Sequence, residues 1–110
     1  MTPEGRVKAK VSRLLKQYPG LFYDMPVPGG FGKSLLDFSC WYRGKPFLVE
    51  TKVEGKQPTD RQRATIAQAK RAGVDVFVIK GMGDPGLGVL QNYLNILKAG
   101  PEPVGAEINI

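Results

Sequence analysis

The chain has 110 residues, 42% of them hydrophobic and 24% charged, a balance that fits one folded domain spanning residues 1–110 and not a disordered chain. It contains no histidine and a single cysteine, which removes Ser-His-Asp and Cys-His catalysis, the usual zinc ligand sets and any internal disulfide. The formal net charge of +6 points to an anionic polymer as partner.

Taken in chain order, Thr2-Pro3-Glu4 opens a helix, with a capping hydroxyl, proline at the first helical position and an acid at the positive end of the dipole. Val7, Val11, Leu14, Leu15 and Tyr18 follow at helical spacing and form the buried stripe. Glu4 continues that stripe, so it reads either as a dipole-serving acid or as an inward-facing one. Pro19-Gly20 ends the helix, residues 21–25 form a short strand, and residues 26–34 form a loop.

Residues 35–42 and 46–52 read as the two strands of a hairpin. If Arg43-Gly44 is a two-residue turn, Tyr42 faces Lys45 and Asp37 falls opposite Glu50, with Leu35 opposite Lys52. Alternation then places Leu36, Phe38, Cys40, Tyr42, Phe47, Val49 and Thr51 on one largely apolar face. Asp37, Glu50 and Lys52 fall on the other. Like charges directly opposite destabilise a sheet, so two facing carboxylates beside an ammonium point to a divalent cation between them. A solvent-facing polar surface with an incidental acidic pair is the competing account.

Residues 53–58 form a polar connection. Thr59-Asp60-Arg61-Gln62 is a capping box that opens a helix running to about residue 72 and stopping at Gly73. Gln62, Ile66, Ala69 and Gly73 share a stripe, which sets Gln62 near the end of the second hairpin strand, although the capping box alone also accounts for it. Residues 74–79 form a buried strand. Residues 87–99 form a helix with Val89, Leu90, Tyr93, Leu94 and Leu97 apolar, and residues 106–110 alternate like a strand.

Two glycine motifs are weak as nucleotide-binding signals, although the backbone amides of the second could contact a phosphate. Gly29-Gly30-Phe31-Gly32-Lys33-Ser34 resembles the end of a phosphate-binding loop, but Val27 stands where glycine is required and a strand follows. Gly81-Met82-Gly83-Asp84-Pro85-Gly86 matches the dinucleotide fingerprint without the rest of a Rossmann unit. The apolar runs are too short to cross a bilayer, and Met1-Thr2-Pro3-Glu4 is no signal-peptide start. A cytoplasmic location is expected, and a lone, core-packed Cys40 fits a reducing compartment.

Asp37, the triplet Glu50-Thr51-Lys52, Gly55-Lys56, the Thr59-x-x-Gln62 segment and Gly73-Val74-Asp75-Val76-Phe77-Val78 together resemble the PD-(D/E)xK nuclease core. Within it, the chain resembles the virus-type replication-repair nuclease (VRR-NUC) domains, especially the stand-alone phage-encoded ones. The resemblance spans about residues 4–80. It implies a restriction-endonuclease-like α/β fold, a central mixed sheet flanked by helices in the order α-β-β-β-α-β plus a C-terminal helix. It implies catalytic roles for Asp37, Glu50, Lys52 and Gln62. Asp37, Glu50, the Thr51 backbone carbonyl and Glu4 would hold Mg²⁺, with Mn²⁺ able to substitute. Lysine at position 52 would position or activate the attacking water. Leu36 replaces the proline that often precedes the aspartate; that proline ligates nothing.

The expected activity is Mg²⁺-dependent endonuclease cleavage of branched or structured DNA by a homodimer, with Lys33, Lys56, Arg61 and Arg63 as DNA contacts and no membrane partner. In the host cytoplasm this would suit a phage-encoded enzyme. A non-catalytic nucleic-acid-binding module with a nuclease-like fold is the alternative.

Overall fold

The computed structural model of the chain describes residues 1–26, 36–83 and 85–103. The glycine-rich stretch at 29–34 with its Lys33, the pairing of Leu35 with Lys52, and the strand expected over 106–110 lie outside the described residues.

Helix α1 (Pro3–Leu15) begins where its capping residues direct. Thr2 Oγ1 accepts the Gly5 N–H at 3.0 Å, and Pro3 gives up no backbone donor that the first turn could use. The α-helix ends sooner than Pro19-Gly20 implied. Beyond Leu15 the bonds tighten, with Gln17 N–H donating to Leu14 C=O at 3.1 Å and Tyr18 N–H to Leu15 C=O at 3.2 Å. Tyr18 remains buried and donates its hydroxyl to Asn95 Oδ1 at 2.6 Å.

Strands β1 (Phe22–Asp24), β2 (Phe38–Tyr42), β3 (Lys45–Lys52) and β4 (Asp75–Lys80) form one sheet in that order. The first three run antiparallel, and β4 pairs parallel to β3. Tyr42 pairs with Lys45 across a two-residue turn whose residues have positive φ, 51° at Arg43 and 78° at Gly44, as a type I′ turn demands. Glycine takes that conformation freely. Arg43 does not, and it is held there by Gly100 O at 3.4 Å, Glu102 at 3.7 Å and the Tyr42 ring. The resulting register buries Leu36, Phe38, Cys40, Tyr42, Phe47, Val49 and Thr51 to 3% exposure or less.

Helix α2 (Asp60–Arg71) has both halves of its capping box at Thr59 and Gln62. It closes with Val74 N–H on Ala69 C=O at 2.9 Å and Gly73 N–H on Lys70 C=O at 3.0 Å, a Schellman ending. Ile66 and Ala69 are half-buried, and the helix lies against β4 without joining the central core.

Helix α3 (Pro85–Ala99) starts two residues ahead of the expected position, with Pro85 suited to a first helical turn. It buries Leu90 and Leu94, whereas Val89 is 57% exposed and departs from the expected apolar stripe. Helices α1 and α3 close over the apolar sheet face, where Val7, Val11, Leu15, Leu90 and Leu94 pack with Phe38, Phe47, Val49 and Ile79. The order is α-β-β-β-α-β plus a final helix, as expected. No helix among the described residues is long and apolar enough to cross a membrane.

Because Gly44 holds φ at 78°, Gly44→Ala is expected to lower stability by about 1 kcal/mol. Urea denaturation followed by the fluorescence of Trp41, the sole tryptophan and a neighbour of the turn, checks this. An unchanged midpoint would mean that the turn does not set the hairpin.

Candidate functional site

Where β2 begins and β3 ends, Asp37, Glu50, Thr51 and Lys52 meet. The ladder pairs Phe38 with Val49, and one residue further the Asp37 N–H donates to Glu50 Oε1 at 3.2 Å. Asp37 Oδ2 accepts the Thr51 N–H at 2.8 Å and the Thr51 hydroxyl at 2.6 Å. This corrects the expected face assignment. Strand alternation stops at Phe38, and two donors from Thr51, whose side chain belongs to the apolar face, hold the Asp37 carboxylate.

Glu50 lies on the side of β3 opposite that apolar face, yet it is only 1% exposed. Its Oε2 is buried without a hydrogen-bond partner among the described residues, and Lys52 Nζ stands 3.7 Å away, close enough for charge but too long for a good hydrogen bond. The solvent-facing account of the acidic pair therefore fails at Glu50.

The two acids respond in opposite directions. Burial alone would push Asp37 up, but the Thr51 hydroxyl and amide, the Glu50 carboxyl and the Lys8 ammonium together hold it below the ordinary carboxylate value. Burial, reinforced by the hydrogen bond to Asp37 and by its charge, pushes Glu50 up to about 7, against the opposing pull of Lys52. The pair thus keeps one proton near neutrality, as closely spaced acids do.

A buried carboxyl oxygen without a hydrogen bond, next to a charged carboxylate, is a place that a cation could fill. The donors are all oxygen, which fits Mg²⁺ or Mn²⁺. Asp37, Glu50 and the backbone of Thr51 are brought together. Glu4 is not. Its side chain is 54% exposed, contrary to an inward-facing acid, and Lys8 Nζ lies 3.9 Å from it and 3.5 Å from Asp37 Oδ1. A carboxylate at the N-terminal turn is already favoured by the helix dipole and gains nothing from desolvation. Among the described residues no three acidic, histidine or cysteine side chains form a metal cage.

Gln62 serves its own helix: its Oε1 accepts the Thr59 N–H at 2.9 Å, and its N–H donates to Thr59 Oγ1 at 3.2 Å. Lys56 and Arg61 are exposed. Arg63 braces the start of α2 through Pro58 O at 2.8 Å and Asp60, so it is less free for a ligand than its position implied. Lys8, legible in the sequence only as part of a basic cluster from Arg6 to Lys16, and Lys80 were not expected at the site. Lys80 pairs in register with Lys52 and bonds Gln57 Oε1 at 2.8 Å. The spacing of Glu4 and Lys8, one helical turn apart, was the available signal for Lys8.

Two other groups are structural. Gly81 donates to Lys52 C=O at 2.7 Å, and a Cβ there would meet Glu54 at 3.2 Å, so the fingerprint-like glycine seals the β3–β4 end. Burial pushes the Cys40 thiol up to about 12, leaving it inert.

No family model matches the sequence, and no curated protein matches it. Its fold is similar to that of a solved structure described as a VRR_NUC domain, with a TM-score of 0.69 and 21% identity over 84% of this chain and 99% of the other. The chain therefore has the fold of a VRR_NUC domain, as its sequence resemblance implied. What it does rests on the site and not on that likeness.

Since Glu50 binds its proton more tightly in the folded state, its contribution to stability is full below about pH 4.5 and is lost as pH rises through 7. Chelator-treated protein should lose about 1–3 kcal/mol of stability between pH 5 and pH 8. Glu50→Gln should flatten that slope, and chemical denaturation across the range reads it. An equally steep slope in the variant would assign the effect to another group.

Proposed function

We propose that the chain is a metal-dependent endonuclease that hydrolyses phosphodiester bonds in DNA. It acts as a cytoplasmic homodimer on branched or structured DNA such as Holliday junctions or flaps. The observation that carries this reading is the buried Glu50 Oε2, without a hydrogen bond, between the charged Asp37 and the Lys52 ammonium. A purely structural role does not account for a carboxyl buried at such cost. The net charge of +6 and the exposed Lys56 and Arg61 support a polyanionic substrate. Two-fold pairing of the strands at a junction is what a homodimer of so small a domain would match.

Hydrolysis adds water across a phosphorus–oxygen bond, hydroxyl to phosphorus and proton to the departing oxygen. Asp37, Glu50 and the Thr51 carbonyl would hold Mg²⁺ or Mn²⁺, which supplies charge neutralisation at the phosphate when bound. Thr51 keeps Asp37 ionised and aimed by its two hydrogen bonds. Lys52, on the same strand face as Glu50, donates to the phosphoryl oxygens and orients the attacking water. Gln62, once its carbonyl is committed to the cap, retains its amide N–H groups for the backbone of a bound strand.

Incubation of purified protein with labelled linear, flap and four-way DNA, in Mg²⁺ or in EDTA, tests the reading. Cleavage of branched substrates in Mg²⁺ alone is expected, with sedimentation giving a dimer. Lys52→Ala should cut at least about a hundredfold more slowly, the scale of losing one group that stabilises the transition state. It should still bind Mn²⁺, because a lysine is no ligand. A variant that cleaves at near wild-type rate rejects the mechanism, and binding without any cleavage by the wild type supports a non-catalytic module instead.

DNA affinity should fall steeply with salt through counterion release. Lys56→Ala and Arg61→Ala should each weaken binding for every sequence alike and shallow the salt slope by about one unit. Fluorescence anisotropy across a salt series measures both, and salt-independent binding would remove DNA as the partner.

A further inference from the structure

The face of the sheet turned away from α1 and α3 is only partly covered, because α2 lies against β4 alone among its strands. At the other edge Phe22 pairs with Trp41 and Trp41 pairs with Pro46, so the three form one row of this face across β1, β2 and β3. Phe22 is 64% exposed and Trp41 45%, and Pro46 beside them is exposed too. The two aromatic rings have centroids 5.1 Å apart and are inclined by 51°. A cross-strand aromatic pair steadies a short edge strand. Left open to water on a chain of net charge +6, it also offers π-faces to the bases of a polyanion. The same face continues along β3 through Leu48 to Glu50 and Lys52. At the rise of a strand, Pro46 and Glu50 are about 13 Å apart.

We infer that Phe22 and Trp41 form a stacking platform for unpaired bases of a single DNA strand, which runs from the platform along β3 to the Asp37–Glu50 end. The inference rests on the nuclease reading of that end and adds to it the class of DNA, a duplex carrying a single-stranded segment beside the cut. Rings inclined by 51° cannot both lie flat on one base. They suit two successive bases that are free to unstack from each other, and a closed duplex offers no such faces. Charge orders the path of the strand. Lys45 is exposed next to Pro46, Lys52 ends β3 and the exposed Lys56 follows it, so cations stand at both ends of β3 for the phosphates. Asp24, exposed on the same face as Phe22, repels the backbone from the β1 edge and favours passage over Ser39 and Leu48.

Trp41 is the sole tryptophan, so its emission reports stacking directly. The full chain is titrated in low salt and EDTA with a short oligothymidine, a blunt duplex of equal length and the same duplex with an unpaired tail, while anisotropy of a dye on the DNA follows binding in parallel. Oligothymidine and the tailed duplex should quench Trp41, and the blunt duplex should bind without quenching it. Phe22→Leu, which keeps apolar cover but loses the ring, should bind oligothymidine about fivefold more weakly with blunt-duplex affinity unchanged, and Phe22→Tyr should bind as wild type does. Failure to bind oligothymidine, binding that leaves Trp41 emission unaltered, or equal quenching by blunt duplex overturns the inference. So does a Phe22→Leu variant that melts at a lower temperature with unaltered affinity, the signature of a pair that only steadies β1. Emission that shifts with protein concentration in the absence of DNA, and no longer does so in Phe22→Leu, assigns the face to a second copy of the chain and overturns it likewise. Cleavage in Mg²⁺ is scored separately. Quenching without cleavage removes the nuclease reading and leaves a single-strand platform, whereas cleavage without quenching removes the platform and leaves the nuclease reading intact.

Discussion

The register between β2 and β3 governs almost everything else in this chain. A slip of one residue would turn one of the two strands over, exposing either Phe38 and Cys40 or Phe47 and Val49 and turning Trp41, or Pro46 and Leu48, inward. Each large apolar side chain returned to water costs about 1.5–3 kcal/mol, far more than an electrostatic preference of the acids could recover. The hairpin is pinned at one end by the positive-φ turn at Arg43 and Gly44 and at the other by the bonds of Asp37 to Glu50 and Thr51. The core sets the register, and the register brings the acids together whether or not they favour it.

That order of strength explains why two neighbouring carboxyls behave differently. Asp37 sits just outside the strand and can rotate to collect donors, so it stays charged. Glu50 is locked inside the ladder between Val49 and Thr51, both fully buried, and has no such freedom. Its Oε1 takes the Asp37 N–H, and its Oε2 is left with charge nearby but no hydrogen bond. Local sequence rules do not anticipate a carboxyl buried in this way, because its cost arises from the packing around it.

Much of the fold was legible because it follows short periods. Alternation over the hairpin, helical spacing from Val7 to Leu15, and the capping box at Thr59 depend on residues near one another in the chain. So does the proximity of Asp37 to Glu50, which needs only a turn and a count. The turning of Asp37 toward Thr51 was not legible, because it occurs one residue beyond the strand, where alternation no longer applies. Extending the α1 stripe back from Val7 left Glu4 open between an inward-facing acid and one serving the dipole, and the stripe is buried only from Val7 onward. Lys8 and Lys80 come from elements whose meeting with the site depends on tertiary packing and parallel pairing, which no single-segment pattern encodes.

Three lysines from three separate elements give the acid pair its electrostatic setting. Lys8 approaches Asp37 from α1, Lys52 approaches Glu50 within β3, and Lys80 ends β4 beside Lys52. Two bare carboxylates would repel a phosphate as effectively as they attract a metal ion. Distributing ammonium groups around them, each at more than hydrogen-bonding distance from its acid in the case of Lys52 and Lys8, keeps the neighbourhood positive without neutralising the acids by proton transfer. The same sheet end thus sets carboxyl oxygens and ammonium nitrogens side by side. Charges of opposite sign from α1, β3 and β4 therefore converge at the end of β3, an arrangement that parallel pairing and helix packing create together and that the hairpin by itself does not contain.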